Sequence, residues 1–547
     1  MQPGAMRAKM RGMSLVSDKG VIQQLATLMC AHGISRCVLC PGSRNSPIVG
    51  TLAALPGMEC RSICDERSAG FVALGWALQC GEPVAVCVTS GSALLNLHPA
   101  VAEASYRHVP LLILSADRPA AWINQQDGQT LPQPGVYGTL VRFSAQLPEE
   151  DSWHANRLIN EAMLALRHRA GGPVHLNIPL SEPFFGMSER PLPSVRIIRR
   201  TEAARMTADD ETALFAEIAA CPRRMLLLGQ MTTLPKLPLE ELKKKGFVII
   251  GEHLSQLGQQ GVTRPDTLPG TQLKSGMAPD LLITYGGDII SKRMKRLLRS
   301  YPPRQHWHIS PDGAVVDTFC CVTRILEGEP AEFLEMVAAF AEEGDADFPK
   351  IWYTPPTTFP RETYCGMSLV GDVLEKIPAG SVLHLGNSSA VRYAQLFPLP
   401  PGIRVECNRG VNGIEGSLST ALGYAAAAPE QLHIIIIGDL SFFYDVNALL
   451  AFRELPNVRI LLLNNHCGGI FHLLPGIPTA PEVSAPHGLS AETCIPSGMR
   501  YRQVHHAEDW AKTLPLLLST APGAVLVEAF TEASQDATLL KDFYNKH

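Results

Sequence analysis

No apolar run in this chain approaches the ~18–20 residues that a helix needs to cross a bilayer, so a membrane-spanning protein is not expected. Positive charge is not in excess either: 47 Lys+Arg stand against 52 Asp+Glu, a formal net charge of -5. Without a general basic field, nucleic acid is not an expected partner. Met1 to Met13 carries basic residues with no apolar stretch behind them, so no secretory signal is read there. No second CxxC accompanies Cys37-Val38-Leu39-Cys40, which leaves a zinc site incomplete, and this apolar tetrapeptide reads as a structural strand. The 14 cysteines are scattered, several inside apolar runs such as Val86-Cys87-Val88, as expected of reduced, buried thiols in a cytoplasmic protein. No GxGxxG follows a strand, which disfavours a dehydrogenase.

What is present is the composition of a well-packed globular protein, 46% hydrophobic and 18% charged. The 547 residues are too many for one core, and at roughly 100–200 residues per domain about three are expected. Short apolar runs alternate with helical patterns, which predicts an α/β protein of three doubly wound parallel-sheet domains. Strands are expected at Arg36–Leu39, Val84–Thr89, Leu111–Ser115, Met225–Leu228, Phe247–Ile250, Leu281–Tyr285, Val382–Leu385, His433–Ile437 and Ile460–Asn464. Proline-rich stretches of weak periodicity at Gly186–Arg205 and Asp345–Pro360 read as linkers, placing domains at 14–188, 205–345 and 360–547. The first and third resemble each other. Each has a strand entering a Gly/Ser turn, a buried strand with a small-residue turn, and an asparagine beyond it (Asn96, Asn447), as if one fold were copied twice.

In open α/β sheets, ligands collect at the carboxyl ends of strands, where helix N-termini offer free N–H groups. Gly438-Asp439-Leu440-Ser441 follows such a strand. Gly438 lets the backbone approach a phosphate and Ser441 can cap a helix or bond an oxygen. Asp439 would repel phosphate unless a cation, most simply Mg²⁺, bridged the two. Asn464-Asn465 ends the next strand, with Asn465 standing 26 positions after Asp439 (465 − 439), so the two strand ends are expected to be neighbours.

This pattern resembles the thiamine-diphosphate enzymes, in which Gly-Asp is followed, one helix and one strand later, by Asn-Asn. The resemblance implies a pyrimidine-binding, a middle and a diphosphate-binding domain, with Mg²⁺ or Mn²⁺ held by Asp439, Asn465 and the backbone carbonyl of Cys467. It implies that Glu66, in Cys64-Asp65-Glu66-Arg67, faces the cofactor's pyrimidine ring and drives its activation across the interface of a homodimer or dimer of dimers. Asn387, Ser388, Ile414, Gly438, Leu440, Ser441, Ile470 and Phe471 would complete the cofactor site, with Ile414 propping the cofactor in its bent shape.

Finer motifs carry the resemblance further. They include Cys40-Pro41-Gly42-Ser43-Arg44-Asn45-Ser46-Pro47, Ala116-Asp117-Arg118-Pro119, Asn408-Arg409-Gly410 and Gly413-Ile414-Glu415-Gly416. They are similar to the branch of the family that decarboxylates 2-oxoglutarate and adds the four-carbon unit to isochorismate in menaquinone biosynthesis. Both substrates are dicarboxylates, and converging cations suit them. The matching positions are Arg44, Arg118, Lys292, Arg293, Arg392 and Arg409, with Ser43, Gln129 and Leu474 completing the expected substrate site. Charge patterning alone reads Lys292-Arg293-Met294-Lys295-Arg296 as a solvated helix face. The resemblance reassigns Lys292 and Arg293 to the site and leaves Lys295 and Arg296 as surface. Other readings are a different 2-oxo-acid thiamine enzyme, or a non-catalytic thiamine-fold subunit. The first would not need Arg392 and Arg409 together, and the second would be marked by loss of Glu66 or a metal ligand.

Overall fold

The computed structural model describes residues 14–184, 186–199, 208–268, 275–452, 454–455, 457–473 and 480–546. All nine anticipated strands form, within a residue or two of the expected limits. They belong to three parallel sheets, so the α/β expectation holds. The first sheet runs in the order Glu59–Ser62, Arg36–Leu39, Val84–Val88, Leu111–Asp117, Val174–Pro179, Phe143–Gln146. The third runs Arg404–Glu406, Val382–Leu385, His433–Gly438, Val458–Asn464, Val525–Phe530, Arg500–Val504. Taken in chain order within each sheet, the two arrangements are identical, as the internal resemblance anticipates. The middle sheet has five strands, ordered Phe247–Gly251, Arg224–Leu228, Leu281–Tyr285, Gln305–Ser310, Arg324–Glu327.

The chain packs as two compact units. One runs to Glu202 and takes in Leu418–Ala428 and Asp445–Arg453; the other holds Ala203–Ser417, Pro429–Tyr444 and Glu454–His547. In the first unit the helix Glu66–Cys80 lies against the helix Ser417–Ala427, and glycine sets their approach. A Cβ on Gly75 would stand 2.0 Å from Thr420 O, and one on Gly423 would stand 2.5 Å from Val72 O.

Both expected linkers carry structure. Met187–Arg190 pairs antiparallel with Ser14–Ser17. Phe348–Trp352 is a helical turn that buries Phe348 and Trp352 in the middle core. All 14 cysteines are free thiols. Burial pushes the Cys37 and Cys40 thiols well up, as the structural reading of the CxxC segment requires. Among the described residues no helix is long and apolar enough to cross a membrane.

Candidate active site

Gly438 and Leu463 are register partners in adjacent parallel strands. Asp439 and Asn465 therefore leave the same sheet edge side by side. Asn465 N donates to Asp439 Oδ2 at 3.0 Å, Leu440 N donates to Oδ1 at 2.7 Å, and Cys467 N donates to Asn465 Oδ1 at 3.3 Å. Two glycines allow this crowding. A Cβ on Gly469 would lie 2.5 Å from Asn465 Nδ2, and one on Gly468 would lie 2.8 Å from the Phe471 ring. Ile470 and Phe471 sit in the 3₁₀ turn Gly469–Leu473. Leu474 lies outside the described residues.

The donors at this turn fit a hard divalent cation. Asp439 is only 3% exposed, and burial raises its carboxyl above the ordinary range, opposed by the Leu440 N–H and by His487. Among the described residues it forms no ion pair with lysine or arginine. A buried carboxylate so placed is strongly favoured by a cation, and the Asn465 amide oxygen and Cys467 carbonyl are the hard oxygen donors that Mg²⁺ prefers. Among the described residues no group of three His, Cys, Asp or Glu side chains could hold a metal ion by itself. Beside Asp439, a Cβ on Gly438 would meet nothing within 4 Å, which leaves open space for a phosphate. Ser441 Oγ donates to Ile414 O at 2.6 Å and so ties the Ile414 loop to the same turn. Asn387 Nδ2 donates to Asn408 O and Gly413 O at 2.5 and 2.6 Å, drawing in the loop's other end. Ser388 has φ 72, a strained backbone for a non-glycine residue and common at functional turns.

A cavity of about 650 Å³ opens in the same unit. Among the described residues six cations line it (Lys292, Lys295, Arg296, Arg299, Arg392 and Arg409), against the single carboxylate of Asp288. The helix Lys292–Ser300 supplies four of them at i, i+3, i+4 and i+7, one stripe of its surface. Met294, Leu297 and Leu298 bury the other side. Lys295 and Arg296 border the cavity as well, and Arg296 is exposed, as its surface reading expects. Arg293 falls outside the stripe and donates to Asp266 O at 2.6 Å. Arg392 Nη1 holds Ser388 O at 2.7 Å, while burial and the neighbouring Arg409 lower its guanidinium from its ordinary value. Like charges held this close favour an anionic ligand.

In the first unit Glu66 begins its helix, and its Oε2 accepts from Asn96 Nδ2 at 3.2 Å. Asp65 caps the helix through Ser68 N and accepts Asn447 Nδ2 at 3.0 Å. The two asparagines matched by the internal repeat therefore hold the two members of one acidic pair. Arg44 is 6% exposed, donates to Leu180 O at 2.8 Å and lies 4.6 Å over the Phe184 ring. Burial and Arg118 lower it from its ordinary value. Arg118 pairs with Asp127 at 2.8 Å and bonds Gly128 O. Ser43 and Gln129 are exposed, and Gln129, with φ 55, packs its backbone against Gly91.

Sequence reasoning missed Asp288 and His487. His487 Nε2 is buried 3.3 Å from Asp439 Oδ2, outside hydrogen-bonding geometry. No spacing announces either residue. The 292/295/296/299 stripe, by contrast, is written in the sequence at helical period.

Residues 20–135 match the family described as thiamine pyrophosphate enzyme, N-terminal TPP binding domain. A protein of Bacteroides thetaiotaomicron named 2-succinyl-5-enolpyruvyl-6-hydroxy-3-cyclohexene-1-carboxylate synthase is 46% identical, over 97% of this chain and 99% of its own. Its namesake in Bacteroides fragilis is 47% identical over 97% of this chain and 100% of its own. The crystal structure of benzoylformate decarboxylase from Polynucleobacter necessarius shares the fold, with TM-score 0.71 at 16% identity over 94% of this chain and 99% of that one. With the Gly-Asp/Asn-Asn turn and the cation-lined cavity, these likenesses mean that the chain belongs to the 2-succinyl-5-enolpyruvyl-6-hydroxy-3-cyclohexene-1-carboxylate synthase family of thiamine-pyrophosphate-dependent enzymes.

Proposed function

We propose that the protein decarboxylates 2-oxoglutarate and adds the remaining four-carbon unit to isochorismate, giving the family's product for menaquinone biosynthesis in the cytoplasm. The observation that carries this reading is the cavity of about 650 Å³ with six cations and one carboxylate, suited to small molecules bearing two carboxylates each. Thiamine diphosphate, when bound, supplies a nucleophilic carbon and a sink for the electrons left by departing CO₂. Asp439, Asn465 and the Cys467 carbonyl would hold Mg²⁺, or Mn²⁺ in its place, over the cofactor's diphosphate. Gly438, Leu440, Ser441, Asn387 and Ser388 would bound the diphosphate, and Ile414, Ile470 and Phe471 would pack the rings. Glu66 would hold a proton at the pyrimidine. Arg392, Arg409 and Lys292 would orient one dicarboxylate, while Arg44, Arg118, Ser43 and Gln129 would serve the other. On this reading residues 14–188, 205–345 and 360–547 act as pyrimidine, middle and diphosphate domains of a homodimer or dimer of dimers, with Glu66 serving the partner's cofactor.

The test is CO₂ release by purified protein supplied with thiamine diphosphate and Mg²⁺. Release from 2-oxoglutarate, absent with pyruvate, and a new tricarboxylate when isochorismate is added are expected. Release from pyruvate, or from neither acid, overturns the assignment.

A further inference from the structure

We propose that Asp288 is a positioning residue. It occupies one edge of the Arg409 guanidinium, so that an incoming carboxylate meets only the other edge. The inference rests on the function proposed above for the identity of the ligand.

Arg409 Nε and Nη2 both donate to Asp288 Oδ2, at 3.0 and 2.5 Å. Asp288 Oδ1 accepts Lys295 Nζ at 3.1 Å. Arg409 Nη1 donates to Asn387 Oδ1 at 3.2 Å. A guanidinium carries five N–H groups. Three are engaged here, and the two left over belong to Nη1 and Nη2. The Nε/Nη2 edge is therefore closed by the protein's own carboxylate, and the remaining donors offer an end-on approach.

The frame around this contact is well tied. Asp288 follows the strand Leu281–Tyr285 through Gly286 and Gly287. Gly286 has φ 93, and Gly287 N donates to Gln230 O at 2.8 Å. Gln230 Nε2 in turn donates to Cys407 O at 2.6 Å, two residues before Arg409. One glutamine thus registers the Asp288 turn against the Arg409 loop. The charge has a second use: Asp288 is the one carboxylate among the described cavity-lining residues, and its field offsets the repulsion between Arg392 and Arg409. Removing it would leave Arg409 more attractive to anions but less fixed in direction. Attraction and orientation should therefore part company.

The experiment uses the full-length protein loaded with thiamine diphosphate and Mg²⁺, comparing Asp288→Asn and Asp288→Glu with the parent. In Asp288→Asn, kcat for CO₂ release from 2-oxoglutarate should fall about tenfold or more, the scale of a misplaced reactant. Its affinity for succinate, an unreactive dicarboxylate, should hold or tighten, and thiamine-diphosphate binding should be unchanged. Asp288→Glu, which keeps the charge on a longer arm, should recover part of the lost kcat. Parental kcat in Asp288→Asn overturns the proposal. So does a joint fall of kcat, succinate affinity and cofactor affinity, the mark of a merely structural role. Should the parent itself release no CO₂ from 2-oxoglutarate, the functional assignment fails instead. The succinate titration still decides this proposal, because weaker succinate binding by Asp288→Asn contradicts it.

Discussion

Replacing Glu252 by glutamine should make stability depend on pH in a way opposite to most carboxylate losses. Glu252 is 3% exposed, and its two oxygens accept Ile290 N and Ser291 N, each at 2.6 Å. Those amides begin the turn into the helix Lys292–Ser300, whose first residue lines the cavity. Burial, helped by Asp266 and Asp288, pushes the carboxyl from 4.5 up to about 8 against those two hydrogen bonds. Below pH 4.5 both folded and unfolded chains hold this proton, and the residue adds no pH dependence. Between pH 4.5 and about 8 the unfolded chain releases the proton while the folded chain retains it. Stability then falls by about 1.4 kcal/mol per pH unit, about 3 kcal/mol by pH 7. Glutamine removes that slope but turns an NH₂ toward one of the two backbone N–H groups, at about 1–3 kcal/mol. Glu252→Gln should therefore be less stable than the parent at pH 5, and equal or more stable at pH 7 to 8. Unfolding midpoints of both proteins across pH 5–8 measure the difference. A difference that does not change with pH would refute the reasoning.

Glu66→Gln should abolish turnover while leaving thiamine-diphosphate binding, followed by titration calorimetry, largely intact; an active variant would displace Glu66 from its role. Asp439→Asn should lose the rise in melting temperature that Mg²⁺ and thiamine diphosphate together confer, an effect of about 2.7 kcal/mol at a hundredfold excess over Kd. An undiminished rise would remove Asp439 from the metal set. Gly75→Ala gains about 1 kcal/mol of helix propensity, yet its Cβ would lie 2.0 Å from the Thr420 carbonyl. Overpacking against backbone, typically about 1–3 kcal/mol or more, should win and lower the melting temperature.

Most of the central strands that the sequence marks were legible because they are buried on both faces and read as unbroken apolar runs, as His433–Gly438 does. Two edge strands were not. Glu59–Ser62 and Arg500–Val504 are largely open to solvent and carry charge, so no apolar run marks them. Val174–Pro179 was hidden for another reason: His175 and Asn177 are buried in a hydrogen-bonded network with Ser115, Asp117 and Gln133. The Asp439 turn could be read because consecutive parallel strands bring their ends together, so spacing along the chain becomes proximity. Asp288 and His487 reach their partners through tertiary folding alone, and no period or motif encodes that. Charge patterning found the polar face of the helix Lys292–Ser300 but could not tell that this face borders a cavity.

The helix bearing Glu66 is completed by sequence that the ribosome delivers very late. The helix Ser417–Ala427, which meets it at backbone contact, and the Asp445 and Asn447 side chains that brace Asp65 and Arg67 all come from beyond the middle sheet. At about 5–20 residues per second of synthesis, the amino-terminal sheet must wait many seconds with that helix face uncovered. The part of the chain made first is thus among the last to be finished, and this exposed interval is where a holding chaperone would act.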